Sequence, residues 1–310
     1  MSAAIEARQL RKVYHPGARN EVVALHGLDL TVTEGHVFGC IGPNGAGKTT
    51  LIKILSGLAW PSSGDADIFG AKTGTLAAQS MLGYLPEVAS YHDFMTVEEL
   101  LSTHAELAGV GRDARKKACD DALEAVSLGD RRRSRIRELS KGMQQRFGIA
   151  QALVGTPRLL ILDEPTSGLD PLAQKEVKDV ILQLRGRGIT IFFSSHKLTE
   201  VEHICDLIGI MHQGRLVRCC PLETLLETGQ AVDIRYDGPP ITVDGATVTE
   251  EGTHRVARVS RERTDAALDA IRTQGGSVYS VTHERITLET AFFQAITAPA
   301  RGETKSEAAS

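Results

Sequence analysis

The apolar positions of this chain change their period several times, and each change marks an element. Two short unbroken runs, Val37-Phe38-Gly39-Cys40-Ile41 and Leu159-Leu160-Ile161-Leu162, have the length and content of buried strands. Residues 28–32 alternate instead, with Leu28, Leu30 and Val32 against Asp29 and Thr31, the pattern of a strand with one wet face. Residues 5–14 and Thr190–Ser194 read as further strands, and residues 15–20 as a turn. Leu51, Ile52, Ile54, Leu55 and Leu58 recur at helical spacing, and Gly57 offers that helix a stop. Helix starts are explicit elsewhere. Thr96 with Glu99 is a capping box opening a helix through Leu107, and Ser140 caps a helix carrying Phe147, Ile149, Ala150 and Leu153. Asp170-Pro171 is a cap followed by proline at the first helical position, opening a helix to Gly186. With another helix from Asp113 to Val126, residues 90–135 form a helical insertion, preceded over 65–85 by short strands and turns.

Beyond Pro221 the pattern predicts a helix to about Thr228, stopped by Gly229. Strands follow at Ala231–Tyr236, Thr242–Thr249 and His254–Val259, with residues 250–253 as a hairpin turn. A helix at Thr264–Gln274, a strand at Ser277–Thr282 and a short helix at Leu288–Ile296 complete a small α+β appendage over 229–297. Residues 298–310, rich in Ala, Glu and Ser, read as a disordered tail.

Composition narrows the picture. A chain of 310 residues suggests one large domain plus a smaller one, or two modest domains, and 42% hydrophobic content is enough to bury a core. A net charge of −4 gives no electrostatic case for nucleic acid. No run approaches the roughly 18 apolar residues of a membrane span. The N-terminus lacks the form of a secretory signal, so the expected location is cytoplasmic, with any membrane work done through recruitment. Five cysteines without metal-ligand spacing read as reduced thiols, Cys219-Cys220 included, as ordinary residues after a strand rather than a redox pair. Arg131, Arg132, Arg133, Arg135 and Arg137 could meet an acidic partner, lipid headgroups or phosphate, but a charge run is more often a solvated face.

The candidate chemistry centres on Gly42-Pro43-Asn44-Gly45-Ala46-Gly47-Lys48-Thr49-Thr50, between the Val37–Ile41 strand and the helix after it. Glycines let backbone amides curl around a polyphosphate, and the helix N-terminus adds partial positive charge. Lys48 should reach the β- and γ-phosphates, and the Thr49 hydroxyl should meet Mg²⁺. A mere strand-to-helix turn is the plainer alternative. Asp163 and Glu164 stand at the C-terminal end of a buried strand, where parallel sheets place ligands. Asp163 is placed to hold Mg²⁺, and Glu164 to orient or deprotonate a water. His196 follows another strand and could donate to the γ-phosphate. Tyr14 ends the first strand, either stacking on adenine or simply closing the strand.

Taken with Leu139-Ser140-Lys141-Gly142-Met143-Gln144 and Asp163-Glu164-Pro165-Thr166-Ser167-Gly168-Leu169-Asp170, the loop resembles that of ATP-binding subunits of ABC transporters, over about residues 5–225. The resemblance implies an α/β fold, a P-loop NTPase of ABC type with a mixed sheet core, an antiparallel β subdomain and the helical insertion. The ATP-binding domain would span 1–228. It makes Tyr14 the adenine-stacking aromatic, Glu164 the catalytic carboxylate and His196 the switch histidine. Ser140 and Gly142 would contact the γ-phosphate of ATP held by a second subunit, expected to be another copy, and Asp170 would lie in the loop at that dimer interface. Glu87 stands where the family usually has Gln, near Mg²⁺ or the attacking water, and Lys141 where it usually has Gly. Residues Glu87–Thr96 would dock on a separate membrane permease. The segment Thr287–Phe293 resembles the closing helix of bacterial export ATPases, pointing to an exporter powered by ATP and Mg²⁺ at the cytoplasmic face of the membrane. One set of motifs and no heptad stretch weigh against the rival, a soluble ATPase of this type that remodels a nucleic-acid or ribosomal assembly. A small-molecule kinase would leave Ser140-Lys141-Gly142 and His196 without purpose.

Overall fold

The computed structural model describes residues 2–297 apart from 227, 253 and 286, so the tail expected at 298–310 lies outside the described residues. The described chain divides into two units, one of residues 2–222 with 295–297 and the other Glu223–Gln294.

In the first unit the buried runs become a parallel sheet and the alternating ones an antiparallel sheet. β1 (Ala3–Tyr14) pairs antiparallel with β2 (Val22–Thr33), then come β3 (Val37–Ile41) and α1 (Lys48–Leu55). β4 (Ser63–Ile68) and β5 (Ala71–Lys72) complete a sheet of order β2-β1-β4-β5. Residues 65–85, expected as strands and turns, also hold a short helix, α2 (Leu76–Ser80), before β6 (Leu82–Leu85). The Thr75 hydroxyl starts it by accepting the Ala78 amide at 3.3 Å. α3 (Val97–Leu107) opens on the expected capping box, Thr96 with Glu99, and α4 (Arg112–Ala125) follows. Then come α5 (Lys141–Leu153), β7 (Leu159–Asp163), α6 (Pro171–Gly186), β8 (Thr190–Ser195), α7 (Leu198–Val201), β9 (Leu207–His212) and β10 (Arg215–Pro221).

The central sheet runs β10-β9-β3-β8-β7-β6, parallel except for the β9–β10 pair. All five residues of β3 and of β7 are buried, and Phe38 stacks on Phe192 with ring centroids 5.2 Å apart. Each fully buried aliphatic or aromatic side chain here contributes roughly 1.5–3 kcal/mol. Parallel pairing has a direct consequence for chemistry. The C-terminal ends of β3, β6, β7 and β8 meet at one edge, with Asp163 in register with Ser194. Cys219 and Cys220, expected after a strand, lie inside β10. Of the arginine run, Arg132 pairs with Asp120 at 2.9 Å and Glu98 at 3.8 Å, and Arg131 with Asp130 at 3.5 Å, as on a solvated face.

Between residues 221 and 228 the expected helix shrinks to one turn, α8 (Leu222–Leu225). Gly229 does not stop it but lies inside β11 (Thr228–Asp237), because the segment is drawn into a ladder with Arg285 opposite Thr228. In the second unit, β12 (Thr247–Glu251), β13 (His254–Ser260), α9 (Thr264–Thr273), β14 (Ser277–Arg285) and the residues up to Gln294 of α10 (Leu288–Thr297) follow. The antiparallel order is β12-β13-β11-β14, and Val232, Ile234, Tyr236, Ala257 and Val259 pack against Ala267 and Ile271. The strand expected at 242–249 begins only at Thr247 and runs to Glu251, into the expected turn. The buried Tyr236 hydroxyl accepts the Ile241 amide at 3.2 Å, and Ala246 N–H bonds the Val243 carbonyl at 3.0 Å. Those bonds hold the preceding stretch in a turn rather than a ladder.

Candidate functional site

The glycine-rich loop leaves β3 and enters α1 through Gly47, whose φ of 103° is left-handed and whose added Cβ would stand 2.7 Å from the Ala24 carbonyl. Only glycine fits both demands. No side chain caps α1, and its first helical bond runs from Leu51 N–H to the Gly47 carbonyl at 3.0 Å. The amides of the helix's first turn, ahead of Leu51, therefore have no helical acceptor and are left for an anion, while the Ala46 N–H already bonds the Pro43 carbonyl at 3.1 Å. The β9–β10 turn braces the loop from behind: Gly214 N–H bonds the Ala46 carbonyl at 2.9 Å, and His26 N–H the Gly214 carbonyl at 3.0 Å.

Lys48 is nearly enclosed. Its Nζ donates to the Gly42 carbonyl at 2.6 Å and lies 3.9 Å from Glu164 Oε1. The other Glu164 oxygen, Oε2, is 2.8 Å from His196 Nδ1. One carboxylate with 10% side-chain exposure thus stands between the loop lysine and the histidine at the end of β8. Glu164 itself has φ 49°, in the left-handed region that costs a non-glycine residue of order 1–3 kcal/mol. Leaving the strand this way turns its side chain toward the loop. Ser194 sits between the two acids: its hydroxyl donates to Asp163 Oδ1 at 2.6 Å and accepts the Glu164 amide at 3.0 Å. Burial, together with the negative charge of Glu87, raises the Asp163 carboxyl above its ordinary value, against the Ser194 hydrogen bond and Lys48. Beneath the loop, burial pushes the Cys40 thiol up to about 12, so it is an inert packing group.

Lys48, Glu164 and His196 open onto a cleft of about 680 Å³, which Gly42 and Asp163 do not themselves line. Pro43, Asn44, Gly45 and the Ala46–Thr50 segment line its floor, with Tyr14, Glu87, Glu164 and His196 around it. Lys12 Nζ lies 5.0 Å from the centroid of the Tyr14 ring, within cation–π range. Val22, Val23, Ala24, His26, Gln213 and Gly214 also form the wall, none of them anticipated from sequence. They belong to β2 and to the β9–β10 turn, which only the tertiary fold brings to the loop.

Ser140, Gly142 and Asp170 do not line the cleft. They form a second cluster at two helix starts. The Ser140 hydroxyl caps α5 by accepting the Met143 amide at 3.3 Å, and Asp170 caps α6 by accepting the Ala173 amide at 2.9 Å. A Cβ on Gly142 would stand 2.6 Å from the Ala173 Cβ, and Lys141 Nζ donates to the Gly168 carbonyl at 3.0 Å. The helix starts are thereby locked to one another.

Residues 25–167 match the ABC transporter family. An uncharacterised ABC transporter ATP-binding protein of Nostoc is 44% identical over 70% of this chain and 66% of its own length. The bacitracin transport ATP-binding protein BcrA of Bacillus licheniformis is 40% identical over 73% of this chain and 72% of its own. Among solved structures, cbiO1 of Clostridium perfringens, part of the ABC transporter complex cbiONQ, superposes with a TM-score of 0.64 at 26% identity. It covers 73% of this chain and 91% of that one.

Proposed function

Since the chain belongs to the nucleotide-hydrolysing ATP-binding proteins of ABC transporters, we propose that it drives a separate membrane permease as an exporter, working as a pair of identical chains. The observation that carries its chemistry is the Glu164 carboxylate, held between Lys48 and His196 at the mouth of the glycine-rich loop.

In this reading Tyr14 stacks on adenine, and the backbone amides from Gly47 to Thr50 receive the phosphates. Lys48 turns from the Gly42 carbonyl to the β- and γ-phosphates, which offer it stronger, charged acceptors. Glu164 then orients the attacking water and takes its proton, while His196 donates to the γ-phosphate. The oxygen donors Thr49, Asp163 and Glu87 suit Mg²⁺, and a cation beside Asp163 relieves the burial and like charge that raise its carboxyl. Mg²⁺ would supply neutralisation of the charge on the β- and γ-oxygens. The Glu87 carboxylate joins that set in place of a neutral amide.

The Ser140 and Gly142 cluster, with Asp170, serves the nucleotide of the opposing chain, which explains its distance from its own cleft. ATP then bridges two chains, and loss of the γ-phosphate removes the bridge. Residues 87–96 present Val88 and Phe94 to solvent, at 79% and 66% exposure. Tyr91 anchors that loop edge-on to Phe147 of α5, at 5.3 Å between ring centroids. Docked on a permease helix, the loop would pass closure of the pair to the membrane. Among the described residues no helix is long and apolar enough to cross a membrane, so the translocation path would be the permease's. Action at the cytoplasmic face, without a nucleic-acid partner, follows from this reading. The role of BcrA in bacitracin transport supports export. The test is Glu164→Gln in the purified chain. Turnover should fall by roughly 10²–10⁴-fold while ATP still binds and holds a closed dimer; unimpaired turnover rejects the assignment.

A further inference from the structure

Among the described residues, the buried charged side chains are Lys48, Asp163, Glu164 and Glu200. Lys48 and Glu164 line the cleft, and Asp163 is the neighbour of Glu164 at the end of β7. Glu200, only 3% exposed, has no part in the nucleotide chemistry above. It lies in α7, one turn beyond β8, and its Oε2 accepts two hydrogen bonds. One comes from the Thr166 hydroxyl at 2.5 Å and the other from the Ser195 hydroxyl at 3.0 Å. Both donors are themselves buried. Lys197 Nζ approaches Oε1 at 3.5 Å.

The identity of the two donors gives this arrangement its meaning. Thr166 is two residues after Glu164, in the turn closed by Ser167 N–H on the Glu164 carbonyl at 3.0 Å. Ser195 immediately precedes His196, and its hydroxyl also accepts the Lys197 amide at 3.0 Å. A single carboxylate oxygen therefore clasps the turn that carries Glu164 to the strand end that carries His196. Glu164 occupies a left-handed backbone conformation that persists only where its surroundings hold it. A buried carboxylate needs donors, and Oε2 takes its two from the segments that must stay in register, while Oε1 has no hydrogen-bond partner and faces only the Lys197 ammonium at 3.5 Å.

We propose that Glu200 is a positioning residue of the hydrolytic step: through Thr166 and Ser195 it holds the Glu164 carboxylate and the His196 ring at their working separation. The inference rests on the roles given above to Glu164 and His196. Glu200 touches neither the nucleotide site nor the cleft lining, so its influence falls on the rate of the chemical step and not on nucleotide affinity.

The experiment uses the full-length chain with Mg²⁺-ATP and compares Thr166→Val, Glu200→Gln, Glu200→Ala and the double variant Thr166→Val/Glu200→Ala. Thr166→Val removes one donor without changing shape, so it tests the clasp even if Glu200→Ala does not fold. The expected result for Thr166→Val and Glu200→Ala is a kcat lower by roughly 10–100-fold, with the dissociation constant for ATP within about 3-fold of the parent. Glu200→Gln, which keeps an acceptor oxygen, should recover most of the rate. The double variant should lose no more than the worse single one, because both changes open the same clasp. Parental kcat in Thr166→Val, or losses that multiply in the double variant, would overturn the proposal. Glu164→Gln, run alongside, separates the two levels: if it alone stops turnover, the clasp is wrong and the catalytic reading stands. If Glu164→Gln turns over normally, the reading itself has failed.

Discussion

The cleft at the glycine-rich loop and the paired helix starts at Ser140 and Asp170 use the same device, a helix N-terminus, in opposite ways. At α1 no side chain caps the helix, and glycine geometry leaves its first amides facing the cleft. At α5 and α6 the caps are filled by Ser140 and Asp170, and the two starts are fastened together through Gly142 against Ala173 and Lys141 against Gly168. One is built to receive an anion from its own chain's side. The other is a preassembled face that does not line that cleft. In the proposed function the difference has a direct meaning: the chain carries two halves of a site that do not meet within it, and a second chain would complete each one.

The strongest way to break the contrast is to disable the cleft alone. Asp163→Asn should abolish Mg²⁺-dependent turnover, by roughly 10²–10³-fold, while leaving the Ser140 face intact. It also carries a sign that can be checked without nucleotide. The Asp163 carboxyl titrates above its ordinary 3.8 in the folded chain, so ionising it costs more there than in the unfolded chain. Its contribution to stability is fully present only below 3.8 and is lost as pH rises through the raised value. At neutral pH the ionised group is a net cost. Thermal unfolding without Mg²⁺ should therefore show Asp163→Asn melting a few degrees higher than the parent at neutral pH, with the gap closing in acid.

Disabling the other half should look different. Gly142→Leu forces a side chain into the contact with Ala173, so ATP-induced pairing, followed by light scattering, should disappear. ATP affinity of the single chain should stay within about 3-fold, because the cleft is untouched. A parallel loss of both would erase the distinction between the halves. The smallest effect is expected at Tyr14. Replacing it by Ala removes a stacking surface worth about 0.5–1.5 kcal/mol, so ATP affinity should fall by roughly 2–10-fold and that for a base-free triphosphate should not change.

How far sequence alone reached follows the same division. The loop with its helix start, and separately the strand-end carboxylates, are each patterns of a few consecutive residues, so Lys48, Asp163 and Glu164 could be read from short stretches. The caps Thr96, Ser140 and Asp170 were equally legible, since a cap is a local hydrogen bond. What escaped was nonlocal. The cleft wall comes from Val22–Ala24 and Gln213–Gly214, segments about 190 residues apart in the chain. Glu200 drew no reading from sequence, because burial of a carboxylate leaves no mark on its neighbours in the chain. The strand expected at 242–249 starts late for a related reason: the Ala246 N–H bonds the Val243 carbonyl, closing a turn where a ladder would have needed that amide.

The central claim is that each nucleotide is gripped by the loop of one chain and the Ser140 helix of another, and mixing two crippled chains tests it most directly. In a Glu164→Gln background, which keeps bound ATP from being consumed, Lys48→Ala destroys the loop and Ser140→Arg obstructs the opposing face. Each variant alone should trap no nucleotide on gel filtration. Their mixture should trap it, because a mixed pair contains one intact loop facing one intact Ser140 helix. If the mixture retains no more ATP than its separate components, the two halves do not belong to one shared site, and the account is contradicted.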